Sequence, residues 1–180
     1  SARMRRTLER VGPFRMEIRP TSSVFAALAE AVVYQQLHGK AAEAILGRLI
    51  AQSSRRFPLP RDLQEMDDTA LRACGFSGGK IAALRDITKH TLSGQVPTRS
   101  TILTMTDEEI VARLTPIRGV GRWTVEMFLM FTLGRPDVLP VDDFGVRNGF
   151  RIAYGRAEMP KPKELMEYGE RWRPQPLDEA

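Results

Sequence analysis

Ile110-Val111-Ala112-Arg113-Leu114, then Thr115-Pro116-Ile117-Arg118-Gly119-Val120-Gly121-Arg122-Trp123-Thr124-Val125-Glu126-Met127-Phe128, reads as a helix, a tight hairpin and a second helix. Thr106-Asp107-Glu108-Glu109 opens the first helix with a capping-box pattern, a hydroxyl followed three residues later by a carboxylate. The hairpin Gly119-Val120-Gly121 calls for glycine at both ends: one permits an unusual backbone angle, the other a close approach to a neighbouring surface. Backbone N–H groups at the start of the second helix then face outward and, with the helix dipole and Arg118 or Arg122, make a phosphate site that ignores base sequence. The alternative is a helical corner whose glycines only turn the chain.

The next stretch, Gly134-Arg135-Pro136-Asp137-Val138-Leu139-Pro140-Val141-Asp142-Asp143-Phe144-Gly145-Val146-Arg147-Asn148-Gly149-Phe150, begins as loop and delivers two acids to the start of an apolar-periodic helix. Asp142 or Asp143 is its N-cap. A capping acid is common, but an acidic pair beside a phosphate-binding hairpin is not what plain DNA binding needs, because carboxylates repel phosphates.

Outward from this centre, the apolar residues Phe25, Leu28, Ala29, Val32, Val33, Leu37, Ala41, Ala44, Ile45 and Leu49 fall at helical spacing. They predict two helices, or one interrupted helix, from about Ser22 to Gln52 with the break at Leu37-His38-Gly39. Asp67-Asp68 caps a turn to Cys74, and Ser77 opens a helix over Lys80 to Leu92. Pro58-Leu59-Pro60, Gly75, Gly94 to Pro97 and Gly119 to Gly121 punctuate the pattern, and only Phe14 to Ile18 hints at a strand. The fold class is therefore all-α.

Composition agrees with this and narrows the chemistry. The 180 residues suffice for one compact core or two small lobes around a groove. Cys74 stands alone with two scattered histidines, too few ligands for a zinc or iron–sulfur site, so no metal and no cofactor is expected. A net charge of +5 and a pI near 9.8 favour a polyanionic partner. Arg3, Arg5, Arg6 and Arg10 form either a DNA-facing patch or a solvated helix face. No run approaches the roughly 18 apolar residues of a membrane span and no apolar leader follows the basic N-terminus, so a cytoplasmic monomer is expected.

Ile117 to Thr124 together with Asp137 to Gly145 resembles the helix-hairpin-helix/Gly-Pro-Asp DNA glycosylase superfamily, and within it the alkylbase branch typified by 3-methyladenine DNA glycosylase II. Val33-Tyr34-Gln35-Gln36-Leu37-His38-Gly39-Lys40-Ala41-Ala42 is similar to that family's Gln-Gln-Leu turn, and Gly75-Phe76-Ser77-Gly78-Gly79-Lys80-Ile81 to its next shared block. The resemblance covers roughly Phe25 to Phe150 with its motifs in family order. It implies a two-lobed helical fold with a DNA cleft between the lobes, one lobe of about residues 22–135 and the other of about 1–21 plus 136–174. It also implies double-stranded DNA carrying damaged bases as partner, and excision of alkylated purines such as 3-methyladenine in base excision repair.

By the same resemblance the catalytic aspartate is Asp143, just before the aromatic-Gly pair, with Asp142 as its helix-capping neighbour; Asp142 is the alternative should the roles be exchanged. Gly119, Val120, Gly121, Arg122, Thr124 and Lys80 would meet the DNA backbone, and Ser77 would cap its helix. Leu37 or His38 would enter the minor groove as the wedge that holds the duplex open while a base is flipped; for His38 a plain surface turn is the other reading. Tyr34 and Trp123 would line the base pocket, since cationic purines favour π-faces, though either ring could equally sit in the core. Branches that also cut the backbone carry a lysine two residues after the hairpin's last glycine; Trp123 stands there, which points to hydrolysis alone. The readings left open are a non-catalytic DNA-binding module and a glycosylase/lyase. The family pattern runs past Trp172-Arg173-Pro174 into a further aromatic-bearing helix, whereas this sequence reads Gln175-Pro176-Leu177-Asp178-Glu179-Ala180, a departure that bears on closure of the pocket.

Overall fold

A computed structural model of the protein describes residues 2–12, 17, 18, 21 and 23–173. Every regular element among them is helical: α1 (Ala2–Val11), α2 (Val24–Tyr34), α3 (Gly39–Ile50), α4 (Pro60–Glu65), α5 (Asp68–Ala73), α6 (Gly78–Leu92), α7 (Arg99–Leu103), α8 (Asp107–Leu114), α9 (Arg122–Phe131), α10 (Phe144–Tyr154), α11 (Pro162–Gly169) and a closing 3-10 turn, Glu170–Trp172. The all-α expectation holds. Of the suspected strand, Phe14 to Met16 lie outside the described residues, and Glu17 and Ile18 carry no regular structure. No helix among the described residues is long and apolar enough to cross a membrane.

The sequence's start signals act where they stand. Ser23, Asp67, Ser77 and Thr106 each accept a hydrogen bond from the backbone N–H three residues on, and Glu109 closes the capping box on Thr106. Pro60 is not the breaker that Pro58-Leu59-Pro60 suggests; it occupies the first position of α4, where a missing N–H costs nothing.

Helix α2 is the hub. Its alanines let neighbours approach closely, and Val24, Phe25, Ala26, Ala27, Leu28, Ala29, Val32 and Val33 are all buried, so the helix is apolar on nearly every side. It packs against α3, α6 and α9, while α6 also covers α4 and α5. Leu28, Leu49, Leu84, Ile87, Ile110, Leu114 and Leu129 fill the space between, each stabilising the fold by about 1.5–3 kcal/mol through removal from water.

A second, smaller core is built by α10 and α11. Val141, Phe150 and Leu165 are buried there, flanked by Leu139, Val146, Tyr154 and Tyr168. Phe150 and Tyr154 stack at 4.5 Å, and Tyr168 meets Phe150 edge-on at 5.0 Å. Helix α1 lies against α10. Thus α9 belongs to the large core and α10 to the small one, and the site forms where their N-terminal ends meet.

Candidate active site

Helix α10 begins at Asp143. The backbone turns after Pro140, whose carbonyl accepts the Asp143 N–H at 3.0 Å, and Asp143 takes the extended conformation that precedes a helix. Its Oδ1 accepts the Val146 N–H at 2.8 Å, and its Oδ2 accepts the indole N–H of Trp123 at 2.8 Å. Gly145 matters at this corner: a Cβ there would stand 3.1 Å from Asp143 Oδ1, crowding the carboxylate. The Val146 N–H, then the Trp123 indole, and least the Gly145 N–H, hold the Asp143 carboxyl below the usual aspartate range against the opposing effect of burial. Asp143 is therefore an anion at neutral pH with both oxygens oriented. Asp142 is not the capping neighbour that the resemblance implies. The cap is Asp143 itself, because the turn from Pro140 gives the extended pre-helical backbone to that residue, and Asp142 is left exposed.

Trp123 connects this carboxylate to a pocket of about 430 Å³ lined by Ala31, Tyr34, Gln35 and Gln36 from the end of α2 and by Trp123, Thr124 and Met127 from α9. The volume falls in the range of small-molecule sites, about 300–1,000 Å³. Tyr34 and Trp123 are both exposed, 38% and 44%, so neither is a core ring. The structure brings these two aromatics together in one pocket, and Trp123 bonds to Asp143 from its wall. A different face of α9 borders a cavity of about 290 Å³, where Arg122 and Glu126 meet Asp107 and Asp137. Its carboxylates suit no phosphate, and it does not include Asp143.

At the hairpin, Gly119 has φ +80°, and a Cβ there would lie 2.6 Å from the Ala83 Cβ of α6, so one glycine serves both the backbone angle and the close approach. Gly121 is the N-cap of α9 and faces open space. Among the described residues no acceptor meets the N–H groups of Gly121, Arg122, Trp123 or Thr124, an outward array at a helix N-terminus. The remaining hairpin expectations need correction. The Val120 side chain is buried and its N–H is committed to the Ile117 carbonyl at 3.0 Å, so Val120 spaces the turn and donates nothing outward. The Thr124 side chain is also buried and its hydroxyl accepts from Gln35, which leaves only its backbone N–H for a ligand. The Arg118 N–H donates to Asp86. Arg122 is exposed, its guanidinium pinned by Glu126 at 3.0 Å.

Lys80 is the clearest departure. Its ammonium donates to the carbonyls of Val32 at 2.6 Å, Val33 at 2.8 Å and Gln35 at 2.8 Å, which uses all three protons and turns the charge inward onto the end of α2. Burial holds its pKa below the usual lysine value. It cannot be a phosphate contact without abandoning those carbonyls. In the turn that follows α2, Leu37 is half-buried against the large core, whereas Gln36 and His38 are exposed. Gln36 has φ +56°, alone among the described non-glycine residues in being left-handed. The His38 carbonyl starts α3 by accepting from Ala41 and Ala42.

Three contributors stand outside the site residues expected from the sequence. Gln35 ties the turn to the hairpin, its Nε2 donating to the Gly119 carbonyl at 2.8 Å and to Thr124 Oγ1 at 3.1 Å. Glu126 is 4% exposed, and burial raises its pKa despite the Arg122 hydrogen bond, with Asp142 and Asp143 adding to the rise. Gly145 guards the carboxylate. Gln35 had a sequence signal in the Gln-Gln-Leu turn and Gly145 in its place after Asp143-Phe144; Glu126 had none.

Residues 29–175 match the model of the HhH-GPD superfamily of base excision DNA repair proteins. The chain is 43% identical over 147 residues to DNA-3-methyladenine glycosylase 1 of Schizosaccharomyces pombe, an alignment covering 81% of this chain and 64% of that protein, so it spans somewhat less than two thirds of that relative. Among solved structures, the S. pombe 3-methyladenine DNA glycosylase in complex with abasic DNA superimposes with a TM-score of 0.82 at 39% identity, over 93% of this chain and 82% of that one. A DNA-3-methyladenine glycosidase from Bacillus halodurans gives 0.86 at 35% identity, over 97% and 79%. With hairpin, oriented aspartate and aromatic pocket in one arrangement, the chain belongs to the HhH-GPD superfamily of base excision DNA repair proteins.

Proposed function

We propose that the protein is a monofunctional DNA glycosylase that takes an alkylated purine out of duplex DNA and hydrolyses its N-glycosidic bond. The observation that carries this is the shared wall: Trp123 lines the α2–α9 pocket and hydrogen-bonds the ionised Asp143, so a base held in the pocket brings its sugar toward the carboxylate. An alkylated purine is cationic and a good leaving group. Catalysis then rests on stabilising the sugar cation as the C1′–N bond lengthens, which a fixed anion does, together with orienting water for attack at C1′. Tyr34 and Trp123 offer π-faces to the cationic base. The open N–H groups of α9's first turn suit a DNA phosphate, with Arg122 beside them. Exposed His38 and Gln36, with Leu37 behind them, would fill the gap left by the flipped base. The two cores correspond to two lobes with the DNA cleft between them. Relatives of this protein carry names for the same chemistry.

Two positions argue against backbone cleavage. Trp123 occupies the position where lyase branches carry lysine, and Lys80, which packs against the end of α2 beside the pocket, has all three protons on carbonyls. The test is release of free 3-methyladenine from methylated duplex DNA, with strand breaks scored before and after alkali. Wild type should release base and leave nicks only after alkali; Asp143→Asn should lose release while still binding DNA, and Asp142→Asn should retain most of it. Nicks without alkali would establish a lyase, and no release by folded protein would reduce it to a binding module.

A further inference from the structure

The end of α2 is held in an unusual way. A helix usually satisfies its last carbonyls locally, by folding the following residues back in a left-handed turn. Here Gln35 takes an extended ψ of 129° and leads the chain away, so the carbonyls of Val32 and Val33 lose their sequence-local donors. Lys80, 45 to 48 residues along the chain, supplies them. The account closes residue by residue: Ala31 O takes the Gln35 N–H, Val32 O and Val33 O take Lys80, Tyr34 O takes the Leu37 N–H, and Gln35 O takes Lys80 again. A cation at a helix C-terminus is also favourable with the dipole. With the Val32 and Val33 carbonyls served by Lys80, the turn Gln36–His38 can project.

The same turn is fastened on its other side. Gln35 Nε2 bridges to the Gly119 carbonyl and to Thr124 Oγ1, and Gly119 in turn is wedged against Ala83, one turn along α6 from Lys80. The projecting turn, the α6 platform and the hairpin thus form one braced unit.

We infer that Lys80 and Gln35 are positioning residues for base flipping: Lys80 makes the turn project, and Gln35 fixes its offset from the hairpin, so that docking of the hairpin on a phosphate drives the turn into the duplex. This rests on the glycosylase reading, and the two separate experimentally. The probe is a duplex carrying a tetrahydrofuran abasic analogue with 2-aminopurine beside it, whose fluorescence rises when the neighbouring stack is opened. Lys80→Met and Gln35→Leu in the full chain should bind undamaged duplex within about twofold of wild type, because the outward N–H groups of α9 are untouched. At saturation they should give less than half the wild-type fluorescence rise, and excision from methylated duplex should fall at least tenfold. Gln35→Leu leaves every Lys80 bond to α2 in place, so it decides the matter should Lys80→Met fail to fold. Full fluorescence amplitude from Gln35→Leu, or from a Lys80→Met that merely melts at lower temperature, would reduce the pair to a structural cap and overturn the inference, as would a wild type that opens no stack. A wild type that opens the stack but releases no base would refute the glycosylase reading while leaving the inference standing.

Discussion

Replacing Trp123 by phenylalanine would keep a ring in the pocket and remove one donor from Asp143. The lost bond is an N–H···O of 2.8 Å onto a carboxylate, a class that contributes about 1.5–3 kcal/mol when shielded. Trp123 is 44% exposed, so solvent screening brings the figure to about 1 kcal/mol, or roughly fivefold in rate. The donors that remain are backbone N–H groups, that of Val146 on Oδ1 and that of Gly145, so the loss should fall on the chemical step in single-turnover excision and spare DNA affinity. A second readout follows from charge. With the indole donor gone, the ionised form of Asp143 is less favoured and its titration, followed by carboxyl carbon NMR in the free protein, should move up toward the ordinary aspartate value. Under the proposed mechanism, in which the ionised form does the work, the acid limb of activity should move up with it. Trp123→Ala should add weakened base capture. An unchanged titration together with an unchanged single-turnover rate in Trp123→Phe would refute the idea that this bond orients the carboxylate.

Asp143 caps α10 and is the proposed reactant, and the two roles separate by substitution. Asparagine caps nearly as well as aspartate, so Asp143→Asn should keep its melting temperature while Asp143→Ala loses about 0.5–2 kcal/mol in denaturant unfolding. Gly119→Ala should cost more than 1 kcal/mol, because its φ is +80° and the new methyl would sit 2.6 Å from Ala83 Cβ; adding Ala83→Gly should restore part of it, and no coupling in that double-mutant cycle would refute the contact. Glu126 binds its proton more tightly folded than unfolded, so its contribution to stability declines as pH rises from the ordinary glutamate value of 4.5 through its raised pKa. Glu126→Gln should flatten that decline in pH-dependent unfolding, and an identical pH slope in the variant would show that the buried carboxyl is not its source.

The two segments that decide the family were legible because their chemistry is local: glycine where the backbone turns, hydroxyls and acids where helices start, apolar residues at helical spacing along α2 and α3. What escaped depends on distance. Lys80 carries no mark in its own neighbourhood of the carbonyls it serves, which lie 45 to 48 residues earlier, and the Trp123–Asp143 bond spans 20 residues. The choice between Asp142 and Asp143 as cap could not be made from composition, since adjacent aspartates have equal propensity and the turn from Pro140 decides between them. Helices α4 and α7 are too short to show a periodic stripe, and their limits are set by packing and by Pro60 and Thr98.

The two cores divide more than the architecture. Asp143 starts a helix seated on a small cluster in which, among the described residues, Val141, Phe150 and Leu165 are buried, while the pocket wall grows from the much larger cluster around α2. Contiguous units with fewer buried contacts open first, so heating or mild denaturant should abolish the proposed excision while most of the helical signal persists. In hydrogen exchange the amides of α10 and α11 should give up their protons ahead of those of α2 and α6. On the proposed function, a cell carrying such a protein would lose repair capacity at a temperature where the protein still counts as folded, and substitutions in the smaller core would surface as heat-sensitive repair.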